Sequence, residues 1–155
     1  MRMTLHTDYA LRMLIYVAMR PDGCCTVHDV AETYGLSRNH LLKVAQTLNK
    51  LGYIMTVRGR TGGIRLARSP AQINVGALVR AIEEDFSLVE CLQQSGGACV
   101  ISPACMLKSM FSEALTAYLS VLDKYTLADA VRNRTALATL LGVTPMAALR
   151  MQSNL

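Results

Sequence analysis

The sequence predicts a mainly α-helical protein: a winged helix-turn-helix with a small β-hairpin wing and a long C-terminal dimerisation helix. Two observations carry the first half of that prediction. Between Thr26 and Gly52, two segments with apolar residues at helical spacing are joined by a tight turn containing Gly35. Directly after them, YIMTVRGRTGGIRLA places two short strand candidates around a glycine-rich turn. A third observation carries the second half. From about 103 to 124 the chain is apolar over most of a helical circumference, so it needs cover on two sides.

The elements follow in order. Thr7 is the expected cap of a first helix, with Leu11, Leu14, Ile15 and Ala18 on one face and Pro21, Asp22 and Gly23 ending it. Thr26 caps a second helix whose Val27, Val30 and Ala31 face inward and which Gly35 stops. Ser37 caps a third, with Leu41, Leu42, Val44, Ala45, Leu48 and Leu51 inward and Gly52 at its end. Tyr53 to Val57 and Ile64 to Ala67 are the strands of the wing, and Asn74 opens a further helix. Ser102-Pro103 starts the long helix. Leu107, Phe111, Ala114, Tyr118, Val121 and Tyr125 line one of its faces; Met110, Leu115, Leu119 and Leu122 add another. A short helix near 127–132 precedes a weakly patterned tail. The chain thus divides into a DNA-binding domain at 1–85, a cysteine loop at 86–106, a dimerisation helix with its short successor at 103–132, and a tail at 133–155.

Composition narrows the function. Hydrophobic residues make up 52% of 155, more than a small monomer easily hides, which points to an oligomer. A net charge of +5 points to a polyanionic partner. The N-terminal stretch superficially resembles a signal peptide, but Asp8 and Arg12 interrupt it and no small-residue cleavage site follows. No uncharged apolar run reaches transmembrane length, so the expectation is a cytoplasmic protein with no membrane partner.

The first residues of the second helix of a helix-turn-helix enter the major groove of DNA. Here they are Ser37, Arg38, Asn39, His40 and Lys43. Arginine can grip guanine and asparagine adenine, while lysine and serine hold phosphates. One polar helix face would mean little alone. The wing adds Arg58, Arg60 and Arg65 on or beside a hairpin tip, with no acidic residue to offset them. Arginines on a thin protrusion suit the narrow, negative minor groove. GRTGG matches neither a P-loop nor a dinucleotide fingerprint.

ECLQQSGGACVISPACMLK, residues 90–108, holds three of the five cysteines at C-x7-C-x5-C, which is no zinc-ribbon, C-x-x-C redox or haem spacing. Three thiolates cannot close a tetrahedral zinc site without a fourth ligand. They can hold most of an iron–sulfur cluster, which also wants a fourth. Buried small hydrophobes, or a disulfide with a leftover thiol, are the alternatives. In a cytoplasmic Gly/Ser-bearing loop, ligation is the favoured reading. Cys24-Cys25 sit in a turn, too close in sequence for ordinary disulfide geometry, and are read as incidental.

The chain from Met3 to about Leu141 resembles the Rrf-type winged-helix transcription regulators, and among them the nitric-oxide-sensing repressors. The stretches that carry the resemblance are TDYALR, SRNHLLKV, VRGRTGGIRL, ECLQQSGGACVISPAC and LDKYTLADAV. The resemblance implies a homodimer crossed through the long helix. It implies an iron–sulfur cluster, 4Fe–4S preferred and 2Fe–2S possible, on Cys91, Cys99 and Cys105. It also implies a fourth ligand from the other subunit at Asp8, a residue that by itself reads only as an acid favoured by the dipole of a first helical turn. His6, Glu90 or a solvent species could take that place. Regulators of cluster assembly in the same family carry a histidine where this chain has Lys108, so their ligand set does not transfer. The iron-responsive repressors of the family share the cysteine spacing.

The expected function is therefore that of a repressor bound to a pseudo-palindromic double-stranded operator and released by nitric oxide, with an iron-responsive repressor as the alternative. An iron–sulfur electron carrier is the rival from another class, and it needs neither a recognition helix nor an arginine wing. An enzyme is not expected, because the three histidines, at 6, 28 and 40, pair with no nucleophile or metal motif in sequence.

Overall fold

The computed structural model describes residues 3–59, 62–93 and 97–143. Helix α1 (Leu5–Met19) leads into a two-residue strand β1 (Cys24–Cys25), then α2 (Val27–Tyr34) and α3 (Arg38–Lys50). The hairpin β2 (Ile54–Val57) and β3 (Gly63–Leu66) follows, then α4 (Val75–Ile82). The long helix α5 (Met106–Leu122) and two short ones, α6 (Leu127–Ala130) and α7 (Arg134–Leu140), complete the chain. The fold is the mainly helical winged helix-turn-helix that the sequence predicts.

Helix α1 is the hub, touching α3, β3, α4, α6 and α7. It buries Ala10, Met13, Leu14, Tyr16, Val17 and Met19, and leaves the expected stripe partners Leu11, Ile15 and Ala18 half-buried against the same core. The cap is Thr4, not Thr7. The Thr7 amide donates to Thr4 Oγ1 at 3.3 Å, and Thr7 itself is fully buried one turn in. Two threonines with the same capping chemistry stand one turn apart, and the earlier one takes the role.

The helix-turn-helix is built by local chemistry. Thr26 and Asp29 close a capping box at 3.1 Å and 2.7 Å. Gly35, at φ +62°, takes the left-handed turn between α2 and α3. Helix α3 buries Leu41, Val44, Ala45 and Leu48, and burial of each of the leucines and the valine is worth roughly 1.5–3 kcal/mol. Leu42 departs from expectation: it is 40% exposed, because only one stripe of α3 can face α1 and α2.

The sheet has three strands in the order β1-β3-β2, all antiparallel, where the sequence predicts two. Cys24 pairs with Arg65 and Cys25 with Ile64. A two-residue strand has no alternation to read, so the pair looked like part of a turn. The close approach needs Gly63, since a Cβ there would run into the Cys25 carbonyl oxygen.

Asn74 caps α4 through the Ala77 amide at 2.9 Å and reaches across to the Asp123 carbonyl at 2.7 Å. Arg80 grips Asp123 with both terminal nitrogens at 2.5 Å and 2.7 Å. These bonds pin the C-terminal end of α5 to the body. The N-terminal end starts later than predicted. Ser102–Ala104 forms a separate 3-10 turn and Cys105 is the residue that precedes α5. The tail contains α7, capped by Asn133, with Ala138 and Val143 in the core. Among the described residues no helix is long and apolar enough to cross a membrane.

Candidate nucleic-acid interface and cysteine loop

Ser37, Arg38 and Asn39 are exposed at the start of α3, and Lys43 is exposed one turn on. Ser37 makes no side-chain cap bond, so its hydroxyl is not used by the helix. His40 is placed differently. It is half-buried, with its ring edge-on to Tyr9 at 4.9 Å and 6.1 Å from His6, so it leans on α1. Two residues absent from the sequence-based set come to the outer face instead. Arg38, Leu42 and Gln46 form an i, i+4, i+8 row along α3. With Asn49, Thr56 and His28 they line a groove of about 370 Å³ between α3, the first turn of α2 and the wing. The four-residue spacing from Arg38 was the available signal for Gln46.

The wing carries Arg58, exposed beside its tip, and Arg65, exposed in β3. Register separates their surroundings. Thr56 opposes Ile64 on the face toward α3, while Arg65 opposes Met55 on the outer face. Arg60 lies outside the described residues.

Cys91, Cys99 and Cys105 are free thiols on the connection from α4 to α5, Cys99 exposed and the other two half-buried. Cys91 sits in a 3-10 turn (Glu90–Leu92), and Cys105 takes the N-cap position of α5 without a side-chain capping bond. Glu90 braces the loop by accepting the Ala98 amide at 2.7 Å. Among the described residues no three His, Cys, Asp or Glu side chains converge into a metal-holding group. The donor set still suits iron–sulfur chemistry: three accessible thiols on one loop, none in a disulfide, one ligand short of four. The candidates for that ligand have partners within the chain. Asp8 pairs with Arg12 through both oxygens, at 3.0 Å and 2.7 Å, and His6 Nε2 lies 3.1 Å from Thr47 Oγ1. Cys25 belongs to none of this. Burial, and next the charge of Asp29, push its thiol up to about 12, which leaves it unreactive at neutral pH.

Asp8 stands between two polar or aromatic residues of α1 that meet α3. His6 faces Thr47 and Tyr9 faces His40. One turn of α1 therefore holds both ends of the recognition helix's inner flank.

The sequence profile of the Rrf2 family, described as iron-dependent transcriptional regulators, matches residues 3–133. The chain belongs to the Rrf2 family. Its similarity to curated members extends over nearly the whole chain. It is 51% identical to the HTH-type transcriptional regulator NsrR of Bacillus subtilis (strain 168), over 91% of this chain and 97% of that protein. It is 48% identical to NsrR of Halalkalibacterium halodurans, over 94% of this chain and 100% of that protein. Among solved structures, CymR, the global cysteine regulator of B. subtilis, superposes at TM-score 0.69 with 25% identity, covering 86% of this chain and 98% of that one. IscR of T. potens superposes at 0.69 with 26% identity, covering 86% and 88%. This Rrf2 protein is a DNA-binding transcriptional regulator. Its recognition helix and wing are the elements that the fold offers to DNA.

Proposed function

We propose that the protein is a homodimeric, cytoplasmic repressor that binds a pseudo-palindromic operator and releases it in response to nitric oxide. The observation that carries the reading is the set of three free, accessible thiols at the C-x7-C-x5-C spacing, in a chain about half identical to NsrR regulators. Cys91, Cys99 and Cys105 would hold an iron–sulfur cluster, 4Fe–4S in preference to 2Fe–2S, with Asp8 of a second copy as fourth ligand. When bound, such a cluster supplies iron that nitric oxide attacks.

The chain's own residues do the rest. Ser37, Arg38, Asn39, His40 and Lys43 serve the major groove, and Arg58, Arg60 and Arg65 the minor groove and phosphates. His40 does so from a ring already seated on Tyr9. Drawn toward a second copy, Asp8 leaves Arg12, and the same turn of α1 carries His6 and Tyr9 against α3. Loss of Asp8's partner thus reaches the recognition helix through two side chains. Useful derepression needs the two states to differ by roughly 3–5 kcal/mol in operator affinity. The family's description as iron-dependent favours one second reading, in which iron supply is the signal.

The test is anaerobic. Visible absorption and operator binding are followed together during a nitric oxide titration. Bleaching and DNA release at the same low stoichiometry are expected. A cluster indifferent to nitric oxide, but lost with DNA release on iron chelation, replaces this reading with the iron-responsive one. Cys91→Ala, Cys99→Ala and Cys105→Ala should each abolish regulated repression; a variant that still represses and still responds would sink the model.

A further inference from the structure

We propose that Arg68 is a positioning residue for DNA binding: it fixes the wing to the end of the recognition helix and does not itself hold DNA. The proposal rests on the winged-helix reading above. Arg68 is exposed, cationic and three residues beyond Arg65, so charge alone would count it among the phosphate contacts.

Its bonds say otherwise. The last carbonyls of a helix have no partner within it and form the negative end of its dipole. At the end of α3, Arg68 Nε donates to the Gly52 carbonyl at 2.9 Å and a terminal nitrogen donates to the Leu51 carbonyl at 3.2 Å. The guanidinium also lies over the Tyr53 ring, 4.9 Å from its centre. Tyr53 is buried, and its amide closes α3 on the Leu48 carbonyl at 2.9 Å. The Ala67 amide donates to the Tyr53 carbonyl at 3.0 Å, the last rung of the hairpin. The residues that leave β3 therefore clasp the residues that link α3 to β2.

The leverage is geometric. From Tyr53 to Arg58 an extended chain runs about 17 Å. A tilt of about 10° at the base would move the tip by roughly 3 Å, beyond the tolerance of a hydrogen bond. Only a planar fork can reach two carbonyls and stack on a ring at once.

The experiment uses the full-length, anaerobically purified protein and a duplex selected by it from a random library. Arg68→Ala, Arg68→Lys and, as the direct-contact control, Arg58→Ala are compared by affinity across a salt series and by hydroxyl-radical and methylation footprints. Arg68→Ala is expected to bind about 10-fold more weakly, with a salt slope lowered only by as much as the displaced wing arginines give up. Its minor-groove protection should fade while the major-groove protection stays. Arg68→Lys should restore part of the affinity. Arg58→Ala should lower the slope by about 0.9, one phosphate's worth. An Arg68→Ala slope lowered by that amount with the footprint intact would make Arg68 a phosphate contact and overturn the proposal. So would unchanged affinity and footprint. If Arg68→Ala does not fold, Arg68→Lys decides: a faded minor-groove footprint supports the clasp, and an intact one at full affinity overturns it. A wild-type protein that selects no duplex would instead refute the DNA-binding reading beneath it.

Discussion

Helices α1 to α4 each bury residues against another element; from 84 to 126 no described residue is buried. The contrast is not one of composition. Helix α5 is as apolar as its neighbours, yet Met106, Leu107, Met110, Phe111 and Val121 lie exposed along it, Met106 at 70%, and Tyr125 is exposed just beyond its end. Only Leu115, Tyr118, Leu119 and Leu122 are half-covered, on the side toward α4. The first region buries most of its apolar surface within one chain, Leu5, Leu42 and Met55 being its large exposed members. The second leaves a stripe of it, together with three free thiols at its head, for something outside the chain. Shared use of α5 by two copies follows from that contrast as the proposed assembly.

The sharpest way to break the comparison is to delete equal volumes from the two regions. Leu48→Ala removes a fully buried side chain of α3 and should cost about 2–5 kcal/mol in chemical denaturation. Leu107→Ala, measured at a dilution where copies are separate, should stay within about 0.5 kcal/mol of wild type. Equal losses would mean that α5 is already packed within the single chain.

A charge on the exposed stripe tests what covers it. Phe111→Glu should give a monomer by sedimentation while leaving the melting of the body in place. Operator affinity should fall by about 100-fold, the order of the gain from joining two half-site readers. A dimer that survives Phe111→Glu with full affinity would move the interface elsewhere.

The same division explains what the sequence reveals. The helix-turn-helix was legible because its signals are local: Thr26 and Gly35 each do their work within a few residues. The exposure of the candidate DNA contacts Ser37, Arg38 and Asn39 follows from their place at the head of α3. What was not legible depends on distant partners. Strand β1 exists because β3 lies beside it, and Leu42 is exposed because α1 and α2 claim another stripe of α3. His40 leans on Tyr9, thirty-one positions away, which no spacing announces. The joint role proposed for the thiols rests on their spacing, but the proposed fourth ligand cannot be read there, since Asp8 within one chain only meets Arg12.

The junction between the regions offers a smaller, pH-dependent test. Hydrogen bonds from Arg80 hold the Asp123 carboxyl below its usual range. A depressed carboxylate pKa contributes stability above the unfolded value, near 3.8, and loses it as pH falls through the folded value. Both side chains are solvent-accessible, so the effect on global unfolding is small. Locally it is larger in consequence, because this pair joins the Asn74 bonds and the backbone bond from the Val75 amide to the Tyr125 carbonyl in tying the end of α5 to α4. Hydrogen exchange at the α4–α5 junction should therefore speed up on acidification below about pH 4, relative to the core of α1, after correction for the intrinsic pH dependence of exchange. In Asp123→Asn the junction should exchange fast at neutral pH already and show no further acid step. An acid step that persists in Asp123→Asn would assign it to another carboxylate, and the Arg80–Asp123 pair would then not be what opens the junction on acidification.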